Sequence, residues 1–202
     1  MLASEHLTAF QNRSRRARRF LGRQVVFHAQ GILPKTELEE VFELTFLNVF
    51  TSFETQLSEV MKTNMMMEYA GNGHVRSLVR PRSRAQAGRL LQGAGRYIQL
   101  LPIEQLEKVA SVFLKDGGPF TVLSEGAKSE LRKSYAIRNH IAHRSEDSKK
   151  TFRKKILDQV NLPARRHSAG YYLKSQITGS RTYFDHHSAE LGRVLQTFCA
   201  AT

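Results

Sequence analysis

Phe46-Leu47-Asn48-Val49-Phe50-Thr51-Ser52-Phe53-Glu54-Thr55-Gln56-Leu57-Ser58-Glu59-Val60-Met61 runs without a proline or a glycine, and its large apolar side chains return every three or four positions. Phe46, Phe50, Phe53, Leu57, Val60 and Met61 therefore share one stripe of an α-helix and should form a central core. Pro34 lies upstream, and Thr36 followed by Glu39 matches a reciprocal N-terminal cap. The spacing predicts a helix over 35–63. Met65, Met66 and Met67 follow as gap-filling core or contact surface rather than as a metal site.

The rest of the chain reads in the same way. Residues 3–21 form a basic amphipathic helix whose apolar members are Leu7, Phe10, Ala17, Phe20 and Leu21. Its arginines suit a solvated face, an RNA contact or a nuclear address. Further helices are expected at 102–115, starting at Pro102, at 124–145, at 148–160 and at 181–200, the last with Phe184, Leu191, Val194, Leu195 and Phe198 inward. Residues 161–180 read as loop. Residues 70–96 are punctuated by Gly71, Gly73, Pro81, Gly88, Gly93 and Gly95 and carry Arg76, Arg80, Arg82, Arg84, Arg89 and Arg96. They predict a long basic excursion with a short helix near 84–92 and a short strand over 74–79. Loops this long are usually functional or mobile, so Arg76, Arg80, Arg82 and Arg84 are candidate RNA contacts. The expected fold is an all-α helical bundle, one domain over 1–202, with a basic N-terminal helix within 1–24 and the basic loop insertion at 70–96.

Composition narrows the partners. The chain has 202 residues, 41% of them hydrophobic, including twelve Phe, so it can bury a sizeable core. A single cysteine, Cys199, excludes an intrachain disulfide and a cysteine zinc cluster, which fits a reducing compartment, most simply the cytoplasm. No apolar run follows Met1 as a secretory signal would require, and no window approaches a membrane span. Lys and Arg number 31 against 18 acidic residues, a net charge of +13. That excess attracts polyanions without regard to sequence and names a partner class, not a reaction.

The chemistry concentrates in Arg138-Asn139-His140-Ile141-Ala142-His143. With Arg138 at zero on a helical wheel, Leu131, Tyr135 and Ala142 lie within about 60° on one side and Ser134, Ile137 and Ile141 on the other. Asn139 and His143 are i and i+4 neighbours at the edge of that arc; His140 and Arg144 lie toward the back. An arginine centred on an apolar face needs a carboxylate, a polar cleft or another subunit, because an unpaired buried charge costs about 3–5 kcal/mol. Glu54 is the matching anomaly inside the Phe-rich stripe and is the expected partner of Arg138, with Glu43 as runner-up. A guanidinium can hold a phosphate, and an imidazole can move protons near neutral pH. His143 can thus act as acid or base, Arg138 can stabilise a developing phosphorane, Asn139 can bind phosphate or orient His143, and Glu54 can position Arg138. A bland alternative is a register-setting Glu–Arg pair with His143 favoured by the helix dipole.

At these residues the chain resembles the HEPN superfamily of compact helical proteins. Its ribonuclease members carry Arg, four to six residues, then His, often with a polar residue directly after the Arg; here these are Arg138, Asn139 and His143. Ile137 to Ser145, the basic Ser-Lys-Lys-Thr-Phe segment at 148–152 and Gly170-Tyr171-Tyr172-Leu173 look like the RiboL-PSP type, over roughly 35–200. The resemblance implies a dimerising bundle whose two motifs form one composite site, and metal-independent RNA cleavage. In that reaction the ribose 2′-hydroxyl attacks the adjacent phosphate and leaves 2′,3′-cyclic phosphate and 5′-hydroxyl ends. It implies no cofactor, a toxin or antiphage role, and an antitoxin or regulatory protein as a further partner. Arg144, Lys149 and Lys150 join the RNA-contact candidates.

Three other readings fit parts of the sequence. The first is a catalytically inactive HEPN module that binds RNA. The second is a metal enzyme using His140, His143, His186 and His187; adjacent His186 and His187 point about 100° apart on a helix, so both should hardly serve one ion, though Asp185 lies near. The third, a DNA-binding helical protein, lacks a helix-turn-helix signature.

Overall fold

A computed structural model describes residues 3–67, 77–93, 95, 98–160 and 168–200. The expected Arg76 contact and the strand expected at 74–76 lie outside them. The described residues form eight α-helices: α1 (Ala3–Ala29), α2 (Lys35–Met66), α3 (Arg84–Gln92), α4 (Ile103–Phe113), α5 (Glu125–His143), α6 (Glu146–Lys155), α7 (Ala169–Lys174) and α8 (Tyr183–Ala200). A small antiparallel hairpin joins α7 to α8, pairing β1 (Gln176–Thr178) with β2 (Arg181–Thr182). The protein is all-α, as the apolar spacing requires. No helix among the described residues is long and apolar enough to cross a membrane.

The chain divides into two compact units. The first comprises Met1–Phe10, Phe53–Ser129 and Gly192–Thr202; the second comprises Gln11–Ser52 and Glu130–Leu191. In the first unit Phe53, Leu57, Val60 and Met61 are all but fully buried. Phe10 meets Phe53 edge-on at 6.1 Å, and Phe120 packs on Phe198 at 4.8 Å. In the second unit Phe42, Phe46 and Phe50 are buried, and Phe42 and Phe46 close on Phe184 at 6.1 and 6.4 Å. Each such phenylalanine contributes about 1.5–3 kcal/mol by leaving water.

Several local expectations change. The first helix runs on to Ala29, and Phe20, expected to face inward, is 39% exposed. The Thr36/Glu39 cap does not form, because α2 already begins at Lys35. Glu39 instead accepts from the Ser168 hydroxyl at 2.8 Å and faces Lys174 at 3.7 Å. The expected strand near 74–79 reduces, among described residues, to one bridge between Ser77 and Leu114. The basic helix expected at 148–160 starts earlier, at Glu146, and ends at Lys155 before a 3-10 turn over Leu157–Gln159.

The stretch 161–180 is not all loop: Ser168 caps α7, accepting from the Tyr171 N–H at 2.9 Å, and Glu43 accepts from the Gly170 N–H at 2.9 Å. A Cβ on Gly170 would collide with the Glu39 carbonyl, so only glycine lets α7 lie this close to α2.

Candidate functional site

The site is built on the second half of α5. Its last turn ends where Arg144 takes the left-handed conformation (φ 48°), a conformation unfavourable for a side-chain-bearing residue. Its N–H still bonds the His140 carbonyl at 3.1 Å, and its guanidinium reaches the Glu43 carboxylate at 3.5 Å. Ser145 then caps α6, accepting from the Ser148 N–H at 3.3 Å. The chain reverses here, so α6 follows directly on the motif and brings Lys149, Lys150, Arg153, Lys154 and Lys155, all exposed.

On α5, Arg138 is half-buried and donates from Nη1 to the Asn139 side-chain oxygen at 3.0 Å. His143 is exposed at the helix end. His140, expected to face solvent, is instead half-buried and stacks face to face on Phe152 of α6 at 4.5 Å with the ring planes 7° apart. Burial, with Lys149 and Arg144 nearby, holds its pKa below the ordinary imidazole value. The wheel placed His140 behind the apolar arc, but α6 supplies a second apolar wall there. Glu43, the runner-up for Arg138, serves Gly170 and Arg144. Glu54 is half-buried in the first unit, whereas Arg138 belongs to the second.

The remaining expected RNA contacts divide by engagement. Arg80 and Arg82 are exposed. Arg84 is committed within the first unit: it pairs with Glu59 at 2.9 Å and also reaches the Thr63 hydroxyl at 3.2 Å and the His6 ring at 3.3 Å. Lys149 pairs with Glu146 on its own helix at 2.6 Å and stays exposed, a pairing that contributes little in water.

Two turns before the motif, α5 carries a polar cluster that sequence reasoning missed. His187 is fully buried; its Nδ1 lies 3.0 Å from the Ser134 hydroxyl and its Nε2 2.9 Å from the Tyr172 hydroxyl. Beside it, His186 Nε2 lies 2.9 Å from the Glu130 carboxylate, which also pairs with Lys133 at 2.7 Å. The hydrogen bond with His186, aided by Lys133 and opposed by burial, pulls the Glu130 carboxyl down to about 2. Burial, with the adjacent His186 acting in the same direction, pushes His187 down to about 3, so its ring is neutral. Desolvation and Tyr183 push the Tyr172 hydroxyl above its ordinary value, keeping it protonated. Asp185, the carboxylate next to the His-His doublet, caps α8: it accepts from the Thr182 N–H at 3.1 Å and hydroxyl at 2.8 Å, and pairs with Arg18 at 3.1 Å. The signal available in sequence was the His-His doublet one turn from Glu190, and the Glu130/Ser134 i, i+4 pair.

A separate cavity of about 400 Å³ in the second unit has Leu21, Leu38, Phe42 and Phe184 as its apolar wall and Arg18 and Lys174 among its polar lining. None of Arg138, Asn139, His143, Arg80, Arg82, Arg84, Arg144, Lys149 and Lys150 lines it. No family model, curated protein or solved structure matches the chain.

Proposed function

We propose that the protein is a metal-independent endoribonuclease of the HEPN type. The observation that carries this reading is the last two turns of α5: a half-buried Arg138 hydrogen-bonded to Asn139, an exposed His143 one turn beyond Asn139, and a cationic α6 next in the chain. A guanidinium with its fork partly fixed is suited to bidentate contact with a phosphate. An exposed imidazole is within reach of a bound substrate's proton.

In the proposed reaction the 2′-hydroxyl gives its proton to a base and its oxygen attacks the adjacent phosphorus. The bond to the 5′-oxygen breaks, and an acid protonates the leaving oxygen. His143 takes one of these proton-transfer roles, and the His143 of a second copy takes the other in a composite site. Arg138 stabilises the added negative charge of the phosphorane. Asn139 orients Arg138 or holds a phosphate oxygen. Arg144, Lys149 and Lys150 contact the RNA backbone.

His143→Ala and Arg138→Ala are each expected to lose about 10³-fold in RNA cleavage while His143→Ala keeps its fold and RNA affinity. Full activity in His143→Ala would refute the assignment. Folded wild-type protein that binds RNA but cuts none of a broad panel would select the alternative, a catalytically silent binding module.

A further inference from the structure

We infer that Glu130, His186 and His187 form a binding site for a divalent transition-metal ion, of the zinc class, lying between α5 and α8 and distinct from the Arg138–His143 motif. One ligand atom from each of the three lies within 4.8 Å of the others, all three within the second unit. Consecutive residues on a helix diverge by about 100°, yet the His186 and His187 rings approach to 5.2 Å and both turn toward α5. Two imidazoles and a carboxylate are the mixed nitrogen–oxygen set that first-row metals such as zinc take.

The surroundings match the outer shell of such a site. A ligating imidazole donates its second N–H to an acceptor, which fixes the tautomer. His187 Nε2 faces the Tyr172 hydroxyl at 2.9 Å, and His186 Nδ1 lies 3.8 Å from the Glu190 carboxylate, with the Arg181 guanidinium also 3.4 Å away, so an ion at Nε2 would turn Nδ1–H toward Glu190. Those contacts leave His187 Nδ1 and His186 Nε2 for the ion, and these are the nitrogens directed at Ser134 and Glu130 of α5. Ser134, one turn from Glu130, offers a neutral oxygen to the same space. Without an ion, Ser134 bonds His187 Nδ1 and His186 Nε2–H donates to the Glu130 carboxylate, so the ion would displace that proton. His187 is fully buried, but the His186 and Glu130 side chains keep 26% and 22% exposure, which gives an ion an entry path. Lys133, paired with Glu130 at 2.7 Å, opposes a cation and should moderate the affinity.

The test is titration of EDTA-dialysed full-length protein with zinc chloride by calorimetry, and with cobalt chloride by visible absorption. One equivalent should bind, with cobalt d–d bands of imidazole–carboxylate coordination and a zinc-dependent rise in Tm. His186→Ala and the near-isosteric Glu130→Gln should each abolish this, while His140→Ala should leave it unchanged. Glu190→Gln should weaken binding by about tenfold, and Lys133→Gln should tighten it. No binding by the wild-type protein at submillimolar zinc, or binding that survives both His186→Ala and Glu130→Gln, would overturn the site. None of these readouts depends on RNA cleavage.

Discussion

One helix, α5, carries two polar regions of opposite character. Toward its middle, Glu130 and Ser134 meet His186, His187 and Tyr172, and His187 and Ser134 are wholly shut from water. At its end, Arg138 is half-buried, His143 is open and cations follow. In the closed region every nitrogen of His187 has a partner, so its residues contribute to stability and fix how α5 faces α8. In the open region His143 faces solvent and Arg138 is half-exposed. A buried polar network is costly to break because the groups left behind cannot return to water. If the proposed function holds, the exposed set is inexpensive to remove from the fold and costly to remove from the reaction.

Substitutions at the two regions should therefore separate activity from stability. The largest effect is expected at the open end: the loss of about 10³-fold in cleavage for His143→Ala comes with an unchanged urea midpoint. The next is at the closed region. His187→Ala strands the Ser134 and Tyr172 hydroxyls and opens a cavity, and is expected to cost about 3 kcal/mol in urea unfolding.

The pH profile gives that loss a signature. His187 is held down to about 3 in the fold, whereas the unfolded chain takes up the proton near the ordinary imidazole value of 6.5. The unfolded state therefore binds the extra proton, so the contribution is full above pH 6.5 and is lost as pH falls toward 3, by at most about 1.4 kcal/mol per pH unit. Glu130, folded near 2 against 4.5 when free, adds a second loss below pH 4.5. In His187→Gln the fall between pH 6.5 and 4.5 should flatten; an unchanged slope would mean that His187 is not the group responsible. The smallest effect is expected on α6. Lys149→Glu with Lys150→Glu should weaken RNA binding about tenfold and lower the slope of log affinity against log salt by about 2, with cleavage chemistry intact once RNA is bound.

The long elements were legible because period alone defines them. The Phe46–Met61 stripe is buried along its length, 84–92 is a helix as expected, and all five residues read as inward on α8 are buried. What escaped depends on contacts between distant segments. The helix α7 has six residues, too few for a period, and its Gly170 looked like a breaker when it is a requirement of close approach to Glu39. Glu39 fitted a local cap by spacing, but Ser168 and Lys174 compete for it. His140 looked solvent-facing because a wheel sees one helix, whereas Phe152 sits on the next. The divergence of His186 and His187 was read from backbone angles, which neglect the reach of an imidazole toward a neighbouring helix. The spacing of Arg138, Asn139 and His143 was legible, and the structure adds their half-open setting and the stacking of the neighbouring His140 on Phe152 of α6.

The most direct measurement is the chemistry of the ends left when purified protein is incubated with a defined RNA in excess EDTA. The proposed mechanism predicts 5′-hydroxyl fragments paired with 2′,3′-cyclic phosphates, produced at the wild-type rate despite chelation and absent when the scissile ribose is 2′-deoxy. Fragments with 5′-phosphate and 3′-hydroxyl ends, or cleavage that stops in EDTA while the protein stays folded, would contradict it.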